Sequence, residues 1–352
     1  MINVLLTGAS GNIGIDVFQE ILSRQNDINL RIFVRGSKKN KKLFKPYKEQ
    51  IDIIWGGILD YDAVKKAVQD QNIIIHMAGL IPPECYKDDE YTYKVNVIGT
   101  KNILKASKEL KKPPEIIYTS SIVVYGDRLD DHLIKVDDPP SPNDIYGLTK
   151  LHAEKLIRES ELEYLILRLS YCASIRILTM NPLLFLMPLE TKVEIIHTKD
   201  VAIAIANAIK NKDVWNRTFL LGGGEDCRIV FKKNANDLFE ILGFGRDFLP
   251  EDVFEEDGFN CGYCETTEAQ NLLKYQHHNL EDYYEEVREW IGFKRHFVPL
   301  VKWFVKKFLL RRLKKSKYLR KEERRKAFEK YKKSKNFKIT FEKKLILKTK
   351  EK

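Results

Sequence analysis

A tyrosine and a lysine four residues apart form the pair in this sequence best suited to chemistry. Tyr146 and Lys150 lie on a predicted helix, so their side chains share one face. A free tyrosine, with a pKa of about 10, is a poor base at neutral pH, but a nearby ammonium group lowers the pKa by stabilising the phenolate. Such a pair could take a proton from a carbinol or return it to a carbonyl. The alternative is a surface pair without a chemical role.

A glycine-rich loop near the N-terminus could hold a phosphate group. It runs from a predicted strand into a predicted helix and reads Thr7-Gly8-Ala9-Ser10-Gly11-Asn12-Ile13-Gly14. Here Gly8 allows a tight turn, Gly11 lets a pyrophosphate approach the backbone, and Gly14 lets the helix pack close to the sheet. The helix N-terminus adds free N–H groups and the positive end of its dipole. The alternative is a glycine turn that binds no ligand.

Short apolar runs alternate with helical patterns through the first half of the chain and predict six strands. The runs are 4–6, 30–34, 51–55, 73–77, 115–119 and 165–169. A basic loop is predicted at 37–48. Nearly continuous apolar strands separated by helices are typical of a parallel sheet covered on both faces. The pattern predicts a doubly wound α/β domain of the Rossmann type over 1–170, with its ligand at the carboxyl ends of the strands.

The remaining chain divides into two further parts. A small substrate-binding region, interleaved with the first domain, is predicted over 171–293, and a basic helical tail over 294–352. The apolar segment 180–188 either lines a pocket or belongs to the core. The five sparse cysteines and an N-terminus without a leader-like pattern predict reduced thiols and a cytoplasmic protein. Cys261 and Cys264 have the spacing of half a zinc site, but no second pair follows, so no metal site is expected.

Six short motifs follow the glycine loop in a fixed order. They lie at 76–79, 96–100, 120–126, 146–150, 196–202 and 221–223. With the Gly-x-x-Gly-x-x-Gly loop, they resemble the extended short-chain dehydrogenases/reductases, the NAD-dependent epimerase/dehydratase family. The resemblance covers about residues 1–290. It is specific because the order and spacing of several motifs agree at once.

The resemblance assigns catalytic roles to three side chains. Tyr146 would be the acid and base, and Lys150 would hold the nicotinamide ribose as well as the phenol. Ser121 matches the serine that hydrogen-bonds the substrate oxygen, and Ser120 could take this role if the register shifts by one. The implied function is NAD(P)-dependent oxidation, reduction or epimerisation, by hydride transfer at a carbinol or ketone of a sugar-like or other small substrate. The rival hypothesis is a catalytically silent nucleotide-binding scaffold.

The resemblance also implies a set of residues around the dinucleotide. They are Thr7, Gly8, Ser10, Gly11, Asn12, Ile13, Gly14, Arg35, Ile58, Met77, Ala78, Gly79, Asn96, Tyr146 and Lys150. Many NAD-using relatives have an acidic residue where Arg35 stands, and an arginine suits a 2′-phosphate. NADP is therefore favoured over NAD, although Arg35 could instead stack on the adenine.

Two departures from the family narrow the expected function. Ile122 and Val123 occupy the positions of the acidic pair of sugar 4,6-dehydratases, and neither side chain can act as a general acid or base. This argues against dehydration. Gly57 stands where the family has an aspartate after the third strand, so the carboxylate on the adenine side is missing. His76, at a strand end, is expected to lie near the cofactor rather than to react, and His197 to be a packing or hydrogen-bonding residue rather than the catalytic base.

Charge separates the tail from the rest of the chain. Residues 294–352 carry 25 lysines and arginines against 5 acidic residues, a net charge of +20, whereas 1–293 carry −9. A helical stripe in this tail is apolar: Leu300, Val301, Phe304, Val305 and Phe308. The pattern favours contact of 297–335 with an anionic membrane surface, at the inner face of the membrane. A solvated or body-docked extension ranks second and nucleic-acid binding third, and a homodimer remains open.

Overall fold

The computed structural model describes residues 1–24, 26–127, 132–176, 178, 187–256, 259–315 and 321–333. Within these ranges no helix is both long enough and apolar enough to cross a bilayer.

Ten strands form two sheets in this part of the chain. They are β1 (Ile2–Thr7), β2 (Ile28–Val34), β3 (Asp52–Trp55), β4 (Ile73–His76), β5 (Glu115–Ser121), β6 (Tyr164–Leu169), β7 (Tyr171–Ala173), β8 (Lys192–His197), β9 (Arg217–Leu221) and β10 (Arg228–Val230). The large sheet has the order β3-β2-β1-β4-β5-β6-β9, and all its neighbours are parallel. The small sheet has the order β10-β8-β7.

Twelve α-helices accompany these strands in the described residues. They are α1 (Asn12–Ser23), α2 (Lys38–Phe44), α3 (Tyr61–Val68), α4 (Asp89–Tyr93), α5 (Gly99–Lys108), α6 (Ile145–Arg158), α7 (Thr198–Ala208), α8 (Phe231–Ile241), α9 (Thr267–Leu273), α10 (Leu280–Ile291), α11 (Val298–Lys315) and α12 (Lys321–Lys333).

The large sheet is covered on both faces, as its apolar strands require. Successive side chains of a strand point to opposite faces, so Val4 and Leu6 pack with α1 and α7, while Leu5 packs with α3, α5 and α6. The predicted doubly wound α/β fold is confirmed. Chain order reverses between β1 and β4, and the cleft where such sheets bind ligands opens at the carboxyl ends of these two strands.

The predicted basic loop at 37–48 is wrong over most of its length, because α2 forms at Lys38–Phe44 and a 3-10 turn at Lys45–Tyr47. Ser37 caps this helix by accepting a hydrogen bond from the Asn40 backbone N–H at 3.2 Å. Phe44 is buried at its end, with its ring centre 5.3 Å from that of Phe18 on α1. Lysines support a helix once a cap and one buried anchor are present.

The C-terminal helices pack on the rest of the molecule. Val298, Val305 and Leu309 of α11 join the apolar core beneath the small sheet. Phe328 of α12 is buried against Ile145 and Leu148 at the start of α6. The predicted tail stripe is therefore divided, since Val305 faces the protein rather than solvent.

Candidate active site

The glycine loop adopts a conformation that its glycines make possible. Gly8 has a φ of +77°, and a Cβ there would lie 2.8 Å from the Met77 carbonyl carbon. A Cβ on Gly14 would lie 2.1 Å from the Gly8 carbonyl oxygen. No side chain caps α1, whose N-cap is Gly11. The first-turn N–H groups of α1 are thus left for an anion, which fits the pyrophosphate of a dinucleotide.

A cavity of about 300 Å³ lies beside this loop. Eight of the fifteen predicted dinucleotide contacts line it: Gly8, Ser10, Gly11, Arg35, Ile58, Met77, Ala78 and Gly79. Tyr91 and Val95 also line it and were missed from the sequence. Both residues shortly precede Asn96, a predicted contact, and this position in the sequence could have identified them. The other seven predicted contacts do not line the cavity.

A larger, more open depression of about 510 Å³ lies at the other end of the sheet. Asn3, Asn29 and Asp52 line it at the amino ends of β1, β2 and β3. Ligands of open α/β sheets bind at the carboxyl ends, so the smaller cavity is the candidate site.

Thr7 supports the cavity from behind through a chain of hydrogen bonds. Its hydroxyl oxygen accepts from the backbone N–H groups of Met77 and Ala78, each at 3.1 Å. The same hydroxyl lies 2.9 Å from Nδ1 of His76, and Nε2 of His76 lies 3.0 Å from the Thr100 hydroxyl. Thr100 in turn donates to the Asn96 carbonyl. Because the Thr100 hydroxyl uses its proton on Asn96, it must accept from Nε2 of His76. The neutral ring therefore carries its proton on Nε2, and Nδ1 accepts from the Thr7 hydroxyl.

His76 is a buried hydrogen-bonding residue at the end of β4 and does not line the cavity. Burial lowers its pKa to about 3, and the charge of Lys150 acts in the same direction. The ring is fully buried and ties the ends of β1 and β4 to α5. It fixes the strand end that carries three of the lining residues.

Asn96 also positions the cavity wall rather than lining it. Its side-chain oxygen accepts from the Leu80 backbone N–H at 2.7 Å, and its amide donates to the Leu80 carbonyl at 3.0 Å. The amide also lies 3.0 Å from the Thr149 hydroxyl on α6. Asn96 thus connects the loop after β4 to the helix that carries Tyr146 and Lys150.

Arg35 follows β2 directly and lies at the exposed edge of the cavity. Asn40 of α2 donates to the Arg35 carbonyl at 2.8 Å, which fixes the backbone at that edge. Lys38 and Lys39 lie in the first turn of α2 beside it. The cavity edge is therefore basic, a charge that suits a phosphate.

The three predicted catalytic residues meet where β5 ends and α6 begins. The Ser121 side chain lies beside the Tyr146 phenol and favours a lower pKa of that phenol, against the larger effect of burial. Lys150 is buried one turn further along α6, with Nζ 5.7 Å from the Tyr146 ring centre. Its ammonium donates to the Thr119 carbonyl at 2.7 Å. The arrangement brings a hydroxyl, a phenol and an ammonium together at the carboxyl end of the sheet.

Burial dominates the acid–base properties of this group. It raises the pKa of the Tyr146 phenol well above its usual value, and the nearby thiols of Cys85 and Cys172 add to the increase. Burial also lowers the pKa of Lys150 to about 8. The expected lowering of the Tyr146 pKa by Lys150 is wrong for this arrangement, because the ammonium is bonded to Thr119. Tyr146 is therefore protonated and placed to donate a proton.

Ser120, the alternative to Ser121, points away from this group. Its hydroxyl donates to buried Glu154, which also binds the guanidinium of Arg168 at 2.7 Å. Burial tends to raise the pKa of Glu154, but the bonds from Arg168 outweigh it and the pKa is lowered. Ser120 is thus part of a buried ionic network. Glu154 was missed from the sequence, although it follows Lys150 by four residues on one helix face.

Asn12 and Ile13 have structural surroundings. The Asn12 side-chain oxygen accepts from Ser174, which follows β7, and Ile13 packs against the core. Arg176 joins the same contact by pairing with Asp16 of α1. The start of α1 is thereby tied to the region after β6. Of the apolar segment 180–188, residues 180–186 lie outside the described residues.

The cysteine pair and His197 also take structural positions. Cys261 and Cys264 are buried, and burial raises the pKa of both thiols, that of Cys261 to about 12. His197 lies 3.1 Å from the Glu286 carboxylate on α10, and its ring stacks on His278 at 4.6 Å between centres. These contacts hold α10 against α7.

The fold and the site together define a Rossmann-type protein of the dehydrogenase/reductase class. Residues 5–173 match the model of the 3-beta hydroxysteroid dehydrogenase/isomerase family. Over these residues the chain is similar to the extended short-chain dehydrogenases/reductases of the NAD-dependent epimerase/dehydratase type. The resemblance predicted from the motifs is confirmed.

Curated relatives include several sugar epimerases. The N-acetyl-alpha-D-glucosaminyl-diphospho-ditrans,octacis-undecaprenol 4-epimerase of Escherichia coli O157:H7 is 33% identical over 157 residues, 45% of this chain and 43% of that protein. D-erythronate dehydrogenase of Cupriavidus necator is 25% identical over 163 residues, 45% and 50% of the two chains. The chain thus spans about half the length of these two relatives. A putative UDP-glucose 4-epimerase of Methanocaldococcus jannaschii is 25% identical over 278 residues, 72% and 85% of the two chains.

Solved structures share the fold. The crystal structure of UDP-glucuronic acid 4-epimerase from Bacillus cereus, in complex with UDP-glucuronic acid and NAD, aligns with a TM-score of 0.68 and 21% identity. The alignment covers 82% of this chain and 100% of that one. The likeness extends beyond the large sheet into the C-terminal region.

Proposed function

We propose that the protein is an NAD(P)-dependent enzyme that transfers hydride at a carbinol or ketone carbon of a sugar-like substrate, with Tyr146 as its acid and base. The observation that carries the proposal is the meeting of Ser121, Tyr146 and Lys150 at the carboxyl end of the sheet. This position lies on the same sheet edge as the glycine loop and its cavity. A silent scaffold would have no need of this trio.

Each side chain has a defined part in the reaction. A bound nicotinamide supplies the acceptor or donor of hydride. In reduction, Ser121 donates a hydrogen bond to the carbonyl oxygen and Tyr146 gives it a proton, while the carbon receives hydride. In oxidation, Tyr146 first releases its own proton to solvent, and the resulting phenolate takes the carbinol proton as hydride leaves the carbon. Lys150 can leave the Thr119 carbonyl and approach the phenol, where its charge stabilises the phenolate.

Epimerisation is the favoured outcome of this chemistry. Hydride would leave one face of the sugar carbon and return to the other, through a transient ketone. The likeness to the 4-epimerases of E. coli, M. jannaschii and B. cereus supports this proposal. Net oxidation is the second candidate, supported by the D-erythronate dehydrogenase relative. Ile122 and Val123 argue against 4,6-dehydration, since neither side chain can exchange a proton.

NADP is the proposed cofactor, ahead of NAD. The support is the position of Arg35 at the cavity edge, with Lys38 and Lys39 nearby. A guanidinium and two ammonium groups favour a 2′-phosphate over a free ribose diol.

The proposed setting is the cytoplasm, at the inner face of the membrane. A small-molecule substrate is the primary partner. A homodimer remains open, and nucleic acid ranks below a membrane surface as a partner of the basic C-terminal segment.

The test is product analysis with three soluble or lipid-linked sugars. The protein is incubated with NAD or NADP and with UDP-glucose, UDP-glucuronic acid or an undecaprenyl-diphospho-N-acetylglucosamine. An epimerase gives a sugar with one inverted carbon and no net reduced nicotinamide, whereas a dehydrogenase accumulates reduced nicotinamide. A protein that binds the dinucleotide but converts none of the three sugars would support the scaffold hypothesis instead.

A further inference from the structure

Exposed apolar side chains are concentrated in one short segment. In the described part of the chain, eight of the thirteen large hydrophobic residues exposed to solvent lie between 290 and 308. Leu300 is 76% exposed, Phe304 66% and Phe308 62%. Scattered apolar residues are normal on a protein surface, but a contiguous patch of this kind marks an interaction site.

These residues form one face of α11 and of the helical turn before it. Four of them lie in α11 and, at about 100° per residue, fall within roughly 100° of its circumference, and two lie in the 3-10 turn before it. We call them the apolar face: Phe293, Phe297, Leu300, Val301, Phe304 and Phe308. Val298, Val305 and Leu309 lie on a different side of α11 and pack into the protein core. The helix is therefore anchored to the body while the apolar face points to solvent.

Basic and interfacial side chains border the apolar face. Trp303 is 61% exposed at its edge, and the Lys307 ammonium lies 4.5 Å from the centre of a Trp303 ring. Lys294 and Arg311 also belong to the segment, which begins the part of the chain with a net charge of +20. Tryptophan and lysine at the edge of an apolar stripe are typical of helices that lie in a membrane interface.

We propose that the apolar face of α11 docks on an anionic lipid bilayer. The phenyl and leucyl side chains would enter the boundary between headgroups and acyl chains, and the lysines and arginines would meet anionic headgroups. The inference does not depend on the reaction, because the apolar face contains none of the proposed catalytic or dinucleotide residues. It also places the membrane contact, predicted over 297–335, at 293–311. Residue Phe328 of α12 is buried against α6 and is therefore not free to enter a bilayer.

Charge favours a bilayer over a second copy of the chain. Two copies meeting through this face would bring two strongly basic segments together, which costs free energy. A nucleic acid would satisfy the charge but leave six large apolar side chains without a partner. A bilayer with anionic lipid satisfies both properties at once.

Vesicle flotation of the full chain tests the proposal. We expect the protein to float with vesicles of phosphatidylcholine and 30% phosphatidylglycerol and to float weakly with pure phosphatidylcholine. Salt should release it in part, because it screens the attraction between the basic side chains and the anionic headgroups. The variant Leu300→Ser/Phe304→Ser/Phe308→Ser should lose at least tenfold in partitioning. The matched variant Trp55→Ser, at an exposed apolar residue of β3, should bind as the wild type does.

Tryptophan fluorescence places the contact at α11 rather than elsewhere. Lipids brominated on the acyl chain should quench the wild type, and Trp303→Phe should remove much of the quenching while vesicle binding persists. Three results would overturn the proposal: absence of binding to anionic vesicles, undiminished binding of the triple serine variant, or conversion of a dimer to a monomer by that variant. The last result would make the face an interface between two copies.

Discussion

Ser120 and Ser121 are neighbours on β5 with opposite surroundings, and this contrast yields a matched test. Ser121→Ala removes the hydroxyl beside Tyr146 and should lower turnover by about 100-fold, as loss of one donor to a reacting oxygen typically does, with stability nearly unchanged. Ser120→Ala removes a donor to buried Glu154 and should cost about 1–3 kcal/mol of unfolding free energy. Initial rates of both variants measure the effect on turnover, and denaturant unfolding measures the effect on stability. Equal effects of the two changes on turnover would reject the assignment of Ser121.

Arg35 is the residue through which the cofactor preference can be reversed. The wild type should bind NADPH about 10- to 100-fold more tightly than NADH, because a charge-assisted hydrogen bond to phosphate contributes about 1.5–3 kcal/mol. Arg35→Asp should invert the order. Lys42→Asp, the same charge change in the last turn of α2, should leave NADPH affinity nearly unchanged. Fluorescence titration of the two nucleotides measures this, and NADH binding at least as tight as NADPH in the wild type would contradict it.

His76 should make the fold sensitive to acid. Its pKa is lowered to about 3 in the folded state, against 6.5 in an unfolded chain. The unfolded chain therefore takes up a proton first as the pH falls below 6.5, and stability drops by about 1.4 kcal/mol per pH unit from this group. His76→Gln keeps a donor and an acceptor but does not titrate.

The comparison of the two proteins isolates the contribution of His76. The variant should be less stable than the wild type at pH 7, and the difference should shrink steadily between pH 6.5 and 4. Urea unfolding across that range gives the difference directly. A constant difference would show that the ring does not carry the lowered pKa.

At the scale of elements, an aspartate caps the N-terminus of α3 and another caps that of α6, but only α6 carries proposed catalytic residues. Asp144 accepts from the Gly147 N–H at 2.7 Å at the start of α6, and Asp60 accepts from the Ala63 N–H at 3.1 Å at the start of α3. Asp60→Ala should cost about 1 kcal/mol of stability, and Asp144→Ala more than that, because it also leaves the Tyr86 hydroxyl without its acceptor. Only Asp144→Ala should also lower turnover, about tenfold or more, because the first turn of α6 carries Tyr146. Thermal unfolding and initial rates of both variants test this; equal turnover would contradict it.

The sequence predicted the elements that its local patterns determine. The six strands of the first half appear close to their predicted bounds, since near-continuous apolar runs can be buried only in a covered parallel sheet. The helix α2 was missed because its burial depends on Phe44 reaching Phe18, a contact that lysine-rich composition conceals. The division of the tail stripe could not be predicted either, because only tertiary contact shows that Val305 and Leu309 face the body.

The same limit applies to the site. Motif spacing predicted which residues gather at the carboxyl edge, but not the side-chain bonds that select among them. Ser120 and Ser121 are separated only by the direction of each side chain on β5. The pKa of Tyr146 depends on its burial and on the nearby thiols of Cys85 and Cys172, which lie far from it in the chain.

At the scale of the whole molecule, the chain has two separate surfaces for which we propose a function. The carboxyl edge of the large sheet carries the candidate chemistry, and α11 carries the apolar face. The C-terminal segment returns to the body through α12, where Arg324 lies 5.1 Å from the centre of the Tyr86 ring. Tyr86 donates to Asp144 at 2.7 Å, so the last described helix reaches the cap of the helix that bears Tyr146.

Hydride transfer assisted by Tyr146 is the central claim, and single-turnover absorbance of reduced nicotinamide tests it most directly. Wild-type protein loaded with NADP or NAD is mixed with whichever of the three test sugars the wild type converts. The variant Tyr146→Phe and the control variant Tyr164→Phe, at the amino end of β6, are treated in the same way. We expect hydride transfer in the wild type and the control, and a loss of at least 1,000-fold in Tyr146→Phe (about 4 kcal/mol at 1.4 kcal/mol per tenfold change), with dinucleotide affinity nearly unchanged. A Tyr146→Phe variant that transfers hydride within a few fold of the wild-type rate would contradict the account.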